Sequence, residues 1–289
     1  MKKTAVLTMV YNEPEFFPIW RRYYASQFGE QNLFVIDHGS DDGSLDDAGQ
    51  SSIIRLPRSP KSNPQRSAAI SNQVAMLLNF YDHVIQVDAD EFLVVDPRKH
   101  ESLGDYCSKK LPNEVITSIG FNVGQLTNSE PDLDEAQPVL SQRKWAQFVS
   151  PMCKPNIVSA PVTFGEGFHG CDRPPFYSDV YCLHLRYFDK QMGLQRLART
   201  RAMDWANPKA GTHQRVEDEQ WVKMIGLFNN VKKGPELFTD AADELLEEYK
   251  NTVLESSSEP NPRGIYSPRW EQTRSKQLFS VPATMASLF

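Results

Sequence analysis

Apolar and polar positions along this chain change period in a regular order. Thr4 to Val10 is a short, near-continuous apolar run, as expected for a strand covered on both faces. From Pro14 to Phe28 the spacing becomes helical: Phe16, Phe17, Ile19, Trp20, Tyr23 and Tyr24 form one stripe, and Pro14 and Glu15 suit a first turn. Asn32 to Ile36 predicts a second strand and Ser52 to Leu56 a short third one. Ala68, Ala69, Ile70, Val74, Leu77 and Leu78 then mark a helix over 65–80, which feeds a fourth strand beginning at His83 and ending abruptly in Asp88-Ala89-Asp90-Glu91. Strands alternating with helices predict an α/β fold with a mostly parallel sheet flanked by helices.

The pattern is less regular further on. Glu114 to Val123 predicts a strand through Ile116, Ile119, Phe121 and Val123, and Leu126 to Gln137 is a polar, acidic loop. Trp145 lies among Arg143, Lys144 and Lys154, a set that suits sugar stacking or ordinary packing equally. Val180 to Phe188 predicts a strand running into a helix from Asp189 to Trp205, and Pro235 to Glu255 an acidic amphipathic helix. Ser256 to Phe289 is rich in Ser, Pro and Arg; a mobile arm, a membrane-surface contact and a packed extension all remain open for it.

Composition narrows the classes. The chain has 289 residues, and a net charge of -6 argues against a non-specific nucleic-acid partner, which needs a basic excess. Lys2-Lys3 before apolar residues imitates a signal peptide, but the apolar run stops at Asn12-Glu13-Pro14-Glu15 without a small-residue cleavage site. No later segment is apolar long enough to span a bilayer, so the expected location is cytoplasmic, with a peripheral contact at the inner membrane face left open. Four cysteines are too few for a disulfide scaffold in a chain this long. His169-Gly170-Cys171 and Cys182-Leu183-His184 form a mirrored pair that could converge on zinc, although each half is tighter than a zinc knuckle's two-residue gap.

The strongest chemical signal is the end of the fourth strand, because open α/β sheets bind ligands at that edge. On an extended chain Asp88 and Asp90 point the same way, with Ala89 opposite leaving room for a close approach. Two hard oxygen ligands at one spot suit Mn²⁺ or Mg²⁺ together with substrate phosphates. The alternative is a solvated turn or a helix cap. Tyr11-Asn12-Glu13 leaves the first strand at the same edge, and Asp37 stands at the tip of the second, where it could accept from a ribose or a base. Asp41, Asp42 and Ser44 read as turn chemistry. Arg58, Lys61 and Arg66 are available to a diphosphate or simply solvated, and Arg196, Arg199 and Arg201 could serve a diphosphate or pair with Glu217, Asp218 and Glu219. Neither a Gly-x-Gly-x-x-Gly after the first strand nor a Walker loop is present.

Val10-Tyr11-Asn12-Glu13, Val35 to Ser44, the helix carrying Gln65 and Asn72, and Val87 to Leu93 together resemble glycosyltransferases of the family 2 type with a GT-A fold, in a branch similar to family 92. The resemblance covers the first third of the chain firmly and the middle third loosely. It implies a nucleotide-diphosphate sugar donor, with Tyr11, Asn12, Glu13, Asp37, Arg66, Asp88 and Ala89 at the nucleotide sugar and Asp88, Asp90 and His184 at Mn²⁺ or Mg²⁺. Residues 1–100 would then be the donor half of a GT-A-like domain, 101–225 an irregular acceptor-side half, and 226–289 a helical and partly irregular C-terminal extension. One departure is that Asp37-His38 precedes an extra Gly-Ser-Asp where the family has Asp-Asp-Gly-Ser. The acceptor implied is a carbohydrate or glycolipid hydroxyl, in surface glycan synthesis. An inverting enzyme needs a carboxylate base, for which Glu166 in its glycine-flexed loop is the first choice, with Asp172, Asp179 and Glu217 behind it. The alternatives are a sugar-nucleotide nucleotidyltransferase, for which Tyr11-Asn12-Glu13-Pro14 is a poor substitute for a glycine-rich loop, and a non-catalytic zinc-stapled carbohydrate-binding module.

Overall fold

A computed structural model of the chain describes residues 1–268 and 273–289. The strands are β1 (Thr4–Val10), β2 (Leu33–Asp37), β3 (Ser52–Arg55), β4 (His83–Gln86), β5 (Glu91–Val95), β6 (Val115–Gly124), β7 (Trp145–Phe148), β8 (Pro155–Val158), β9 (Tyr177–Tyr187), β10 (Lys232–Glu236) and β11 (Gln277–Ser280). The helices are α1 (Phe17–Phe28), α2 (Asn63–Leu77), α3 (Leu103–Cys107), α4 (Val139–Gln142), α5 (Lys190–Ala202), α6 (Asp218–Gly226) and α7 (Asp240–Ser256).

The expected α/β architecture is present: one large sheet with helices packed against it. Its first half, β4-β1-β2-β3, is parallel throughout, and the sheet continues as β8, β6, β7, β11 and β10, with β9 joining β6 to β5. The second half brings in antiparallel pairs, β4 with β8 and β5 with β9 among them. The β1–β2 register sets Val10 against Asp37, and the β1–β4 register sets Leu7 against Gln86. The loops after these three strands therefore leave at one rim, where sheets of this kind hold ligands.

Two helices carry the rim. Helix α1 buries Phe17, Trp20, Tyr23 and Tyr24. The Tyr24 hydroxyl donates to Glu91 O and accepts from Leu93 N, both at 3.0 Å, standing in for a neighbouring strand beside β5. Helix α5 starts on Asp189, whose carboxylate accepts from Gln191 N and Met192 N and also receives the buried Arg143 at 3.3 Å.

Of the three readings of the last segment, its described residues show the packed one. Strand β11 pairs antiparallel with β7, and β10 pairs parallel with β11. The Phe289 ring stacks on Phe92 at 4.4 Å and meets Tyr23 edge-on at 5.2 Å, while its carbonyl accepts from Val139 N at 2.7 Å. Residues 269–272 of that segment lie outside the described residues. No helix among the described residues is long and apolar enough to cross a membrane.

Because Phe289 fills the core between α1 and β5, Phe289→Ala should cost about 3–5 kcal/mol, the usual range for a buried ring. Urea denaturation measures this, and a loss under about 1 kcal/mol, the scale of an exposed substitution, would show that the ring does not support the core.

Candidate functional site

The fourth strand ends earlier than its apolar run suggested. Strand β4 stops at Gln86, and residues 87–90 turn before β5 begins at Glu91. Alternation along an extended strand therefore does not apply to Asp88 and Asp90, and each takes its own partners. Asp88 receives Arg66 on Oδ1 and Lys154 Nζ on Oδ2 at 3.2 Å. Asp90 receives Arg196 on Oδ2, and His184 Nε2 lies 3.2 Å from the same oxygen. Ala89 is packed in the core instead of opening space at the rim.

The group whose ligand atoms converge is Asp90, Glu91 and His184, all within 4.8 Å of one another, and Asp88 stands outside it. Sheet register makes this group. Glu91 on β5 is paired with His184 on β9, and His184 is paired with Asn122 on β6. The Nδ1–H of His184 donates to Asn122 Oδ1 at 2.7 Å, which turns Nε2 toward Asp90. Nε2 and the Asp90 oxygen, 3.2 Å apart, are held together by whatever lies between them, a proton or a cation. Neighbouring ligands on one ion with bonds of about 2.1 Å are about 3 Å apart, so the pair fits a divalent cation. Imidazole with carboxylate suits Mn²⁺ better than Mg²⁺. Glu91 is the less available ligand, because Lys154 Nζ donates to its Oε1 at 2.5 Å and Asp88 N to its Oε2 at 3.3 Å.

Burial sharpens the electrostatics. Lys154 is 3% exposed and Glu91 1%. Burial alone would penalise both charges, but their mutual attraction, with Asp88 adding to it, pushes the Lys154 ammonium above its ordinary value. The carboxyls of Asp88 and Asp90 are likewise disfavoured by burial. The cations win: Arg66 and Lys154 hold Asp88 below the usual range, and Arg196 and His184 hold Asp90 well below it. Burial raises Glu91 and Glu13, opposed by Lys154 and Arg196 respectively.

Between the ends of β1 and β3 and the start of α2 lies a cleft of about 330 Å³ lined by Met9, Leu56, Arg58, Lys61, Gln65 and Arg66 among others, and Arg66, the partner of Asp88, joins it to the acidic rim. Lys61 donates to Gln214 Oε1 at 3.0 Å and sits over the Trp205 ring at 4.6 Å. Burial first, then Arg66 and Arg196, push its ammonium down to about 8. The Tyr11 ring is covered by Arg58 at 3.5 Å. Asn12, at φ 52°, donates its backbone N–H to Ser40 Oγ, while its side chain exchanges hydrogen bonds with Asp41. Asp37 is turned inward: it is 1% exposed, accepts from Ser40 N at 2.7 Å and lies 3.5 Å from Arg55. Gly39, at φ 81°, takes a backbone conformation that strains any other residue, and a Cβ there would lie a tight 3.0 Å from Arg58. Glu13 meets Arg196 at 2.9 Å, and its Oε2 is buried without a hydrogen-bond partner.

The expected bases sit apart from the converged group. Glu166 is 44% exposed and paired with Arg263 at 2.8 Å, Asp172 lies 3.4 Å from Arg173, and Asp179 pairs with Lys99 and His100. Exposed Glu217 precedes the first turn of α6. The loop of Glu166 does touch the site, since Phe168 lies under Arg66 at 4.8 Å and Ser67 Oγ donates to Gly165 O. The zinc arrangement is not formed. All four cysteines are buried and free, Cys171 Sγ points at Arg173 O, and Asp90, Glu91 and His184 are the metal-ligating group found among the described residues. His169 instead donates to Pro151 O at 2.7 Å. Of the α5 arginines, Arg201 pairs with Asp218 as the downstream acids suggested, but Arg196 and Arg199 reach back to Glu13 and Glu15.

Sequence reasoning did not single out Glu91 and Lys154. Glu91 stands in the Asp-Ala-Asp-Glu run, whereas Lys154 was grouped only with Arg143 and Lys144 around Trp145, and nothing local pairs it with Glu91.

No family model matches the chain, and no curated protein matches it. Solved structures do. A glucosyl-3-phosphoglycerate synthase from Mycobacterium tuberculosis in complex with Mn²⁺ and uridine-diphosphate-glucose is 17% identical over 32% of this chain and 34% of its own, with a TM-score of 0.24. The same synthase with Mn²⁺, uridine-diphosphate and phosphoglyceric acid aligns over 58% of this chain and 61% of its own, at 16% identity and a TM-score of 0.33. A mannose-1-phosphate geranyltransferase from Thermus thermophilus aligns over 78% and 64%, at 9% identity and a TM-score of 0.30. This chain thus spans about a third of the first of these structures, and likeness at that level leaves function to be read from its own side chains.

Burial, with Lys154 beside it, pushes His169 down to about 4. Its unfolded counterpart takes a proton near pH 6.5, so stability should fall as pH drops from about 6.5 towards about 4. His169→Asn should make that decline shallower in urea titrations at several pH values, and parallel curves for the two proteins would refute the assignment.

Proposed function

We propose that this chain is a metal-dependent glycosyltransferase that moves a sugar from a nucleotide-diphosphate donor to an acceptor hydroxyl. The observation that carries the reading is the convergence of Asp90, Glu91 and His184 at the rim of the parallel strands, joined through Asp88 and its partner Arg66 to a cleft of about 330 Å³ that Arg66 lines with Arg58 and Lys61. Asp90 and His184 would hold Mn²⁺ or Mg²⁺, with Mn²⁺ favoured by the imidazole. When bound, such an ion offsets the negative charge that grows on a departing diphosphate.

The chain's own residues supply the rest. Lys154 neutralises Glu91 and keeps it in place. Asp88, fixed by Arg66 and Lys154, faces the donor's ribose and diphosphate side in this reading, with Ala89 as backbone support. Tyr11, Asn12, Glu13 and Arg66 border the nucleotide, and Asp37 acts by holding the loop after β2 in shape. Lys61 meets the diphosphate as a second cation. Residues 1–100 would form the donor half, 101–225 the acceptor side and 226–289 the extension that completes the sheet.

For the acceptor, a carbohydrate or glycolipid hydroxyl in surface glycan synthesis, the reading keeps Glu166 as base with Asp172 next to it. Glu166 must leave Arg263 to act, and its exposed position makes that exchange inexpensive. The outcome in this reading is inversion.

Thermal unfolding with nucleoside diphosphates, with and without Mn²⁺, tests the proposal. A ligand at 100 times its dissociation constant should add about 2.7 kcal/mol, and Asp90→Ala or His184→Ala should remove the metal-dependent part. If no nucleotide shifts melting in an Mn²⁺-dependent way, the proposal fails. The Lys61 charge is lost above pH about 8, so kcat/KM for the donor should decline above that pH in the native chain but not in Lys61→Gln. An identical decline in both would show that Lys61 is not the group responsible.

A further inference from the structure

Arg196 occupies the position that a metal ion has to contest. Its Nη1 donates to Asp90 Oδ2, the same oxygen that lies 3.2 Å from His184 Nε2, and its Nη2 donates to Glu13 Oε1 at 2.9 Å. The guanidinium rests over the Phe16 ring at 4.5 Å, which fixes its plane. Two positive charges on one carboxylate oxygen repel strongly at such distances. Metal binding at Asp90 therefore works against the Arg196 contact.

Glu13 offers Arg196 somewhere to go. Its Oε2 is buried and has no donor, although Oε1 already accepts from Arg196. A buried, unpaired carboxylate oxygen is costly, and a guanidinium can satisfy both oxygens of one carboxylate with parallel N–H groups.

We propose that Arg196 exchanges partners, bridging Asp90 and Glu13 when no metal is bound and closing on both oxygens of Glu13 when an ion takes Asp90. The inference rests on Asp90 and His184 being the metal ligands. It adds that Arg196 and Glu13 set the affinity of that site and tie it to the loop after β1. That loop is coupled onward, because Asn12 next to Glu13 is hydrogen-bonded to Ser40 and Asp41 after β2. Arg196 is a positioning residue here: it acts through Asp90 and Glu13.

Mn²⁺ affinity of the full chain without nucleotide, read from the electron-paramagnetic signal of free Mn²⁺, tests the exchange. Arg196→Gln should bind Mn²⁺ about tenfold more tightly, within the usual range of coupling between sites. Glu13→Gln should bind several-fold more weakly in the native background, yet change affinity less than about twofold when combined with Arg196→Gln. A charge effect alone predicts the same factor for Glu13→Gln in both backgrounds, so equal factors, or no tightening in Arg196→Gln, overturn the proposal. If Arg196→Gln does not fold, Arg196→Lys keeps the charge without the fork and should tighten binding by a smaller factor; an unchanged affinity then counts against the exchange. Mn²⁺ binding that is lost in Asp90→Ala but indifferent to Arg196 defeats the exchange alone. Mn²⁺ binding unaffected by Asp90→Ala and His184→Ala defeats the metal site and the exchange together.

Discussion

Charge balance in a largely buried rim is the constraint on which the rest depends. Glu13, Asp88, Asp90 and Glu91 are crowded at the ends of β1 and β4, and an uncompensated buried carboxylate costs several kcal/mol. Arg66 from α2, Lys154 ahead of β8 and Arg196 from α5 supply the compensation. Each cation reaches carboxylates contributed by another segment. The acidic rim can therefore form only when α2, β8 and α5 are docked together, and the site is a joint product of three packing events.

The sheet supplies the precision that loops would lack. Strand pairing aligns Glu91, His184 and Asn122 across β5, β9 and β6, so the imidazole is oriented by its neighbour and aimed at Asp90 by backbone register. Tyr24 caps the unpaired side of β5, and Phe289 stacks on Phe92 from the same strand. The C-terminal segment, in the packed form that was one of three open readings, thus supports the strand that opens on Glu91.

Much of the fold and the outline of the site were legible in the residues. Periodicity located β1, α1, β2, β3, α2 and the strand ending near Asp88, because short-range burial patterns are set by which face meets the core. The end of the fourth strand pointed to Asp90, and the resemblance implied His184. Periodicity overran at Val87, where an apolar residue continued the pattern although the strand had ended, and so it assigned Asp88 and Asp90 a common direction. It also presented Asp37 to a ligand, whereas Gly39 folds the loop back and turns that carboxylate to Ser40. The mirrored cysteine and histidine pairs were separated for a similar reason: β9 carries Cys182 and His184, while Cys171 bridges to Phe164 and Tyr266.

By itself, then, the amino-acid order determined the alternation of elements, the rim at which acids emerge and the residue types suited to a divalent cation and a phosphate-bearing ligand. Those properties follow from period, chain direction and side-chain chemistry, all of which are local. Only the tertiary structure decided which cation meets which acid. Lys154 and Glu91 are 63 residues apart and Arg196 and Glu13 are 183 apart, and no short-range pattern encodes such pairings. They arise because desolvated charges of opposite sign must end up together, and the packing of β8 and α5 against the rim determines which ones can.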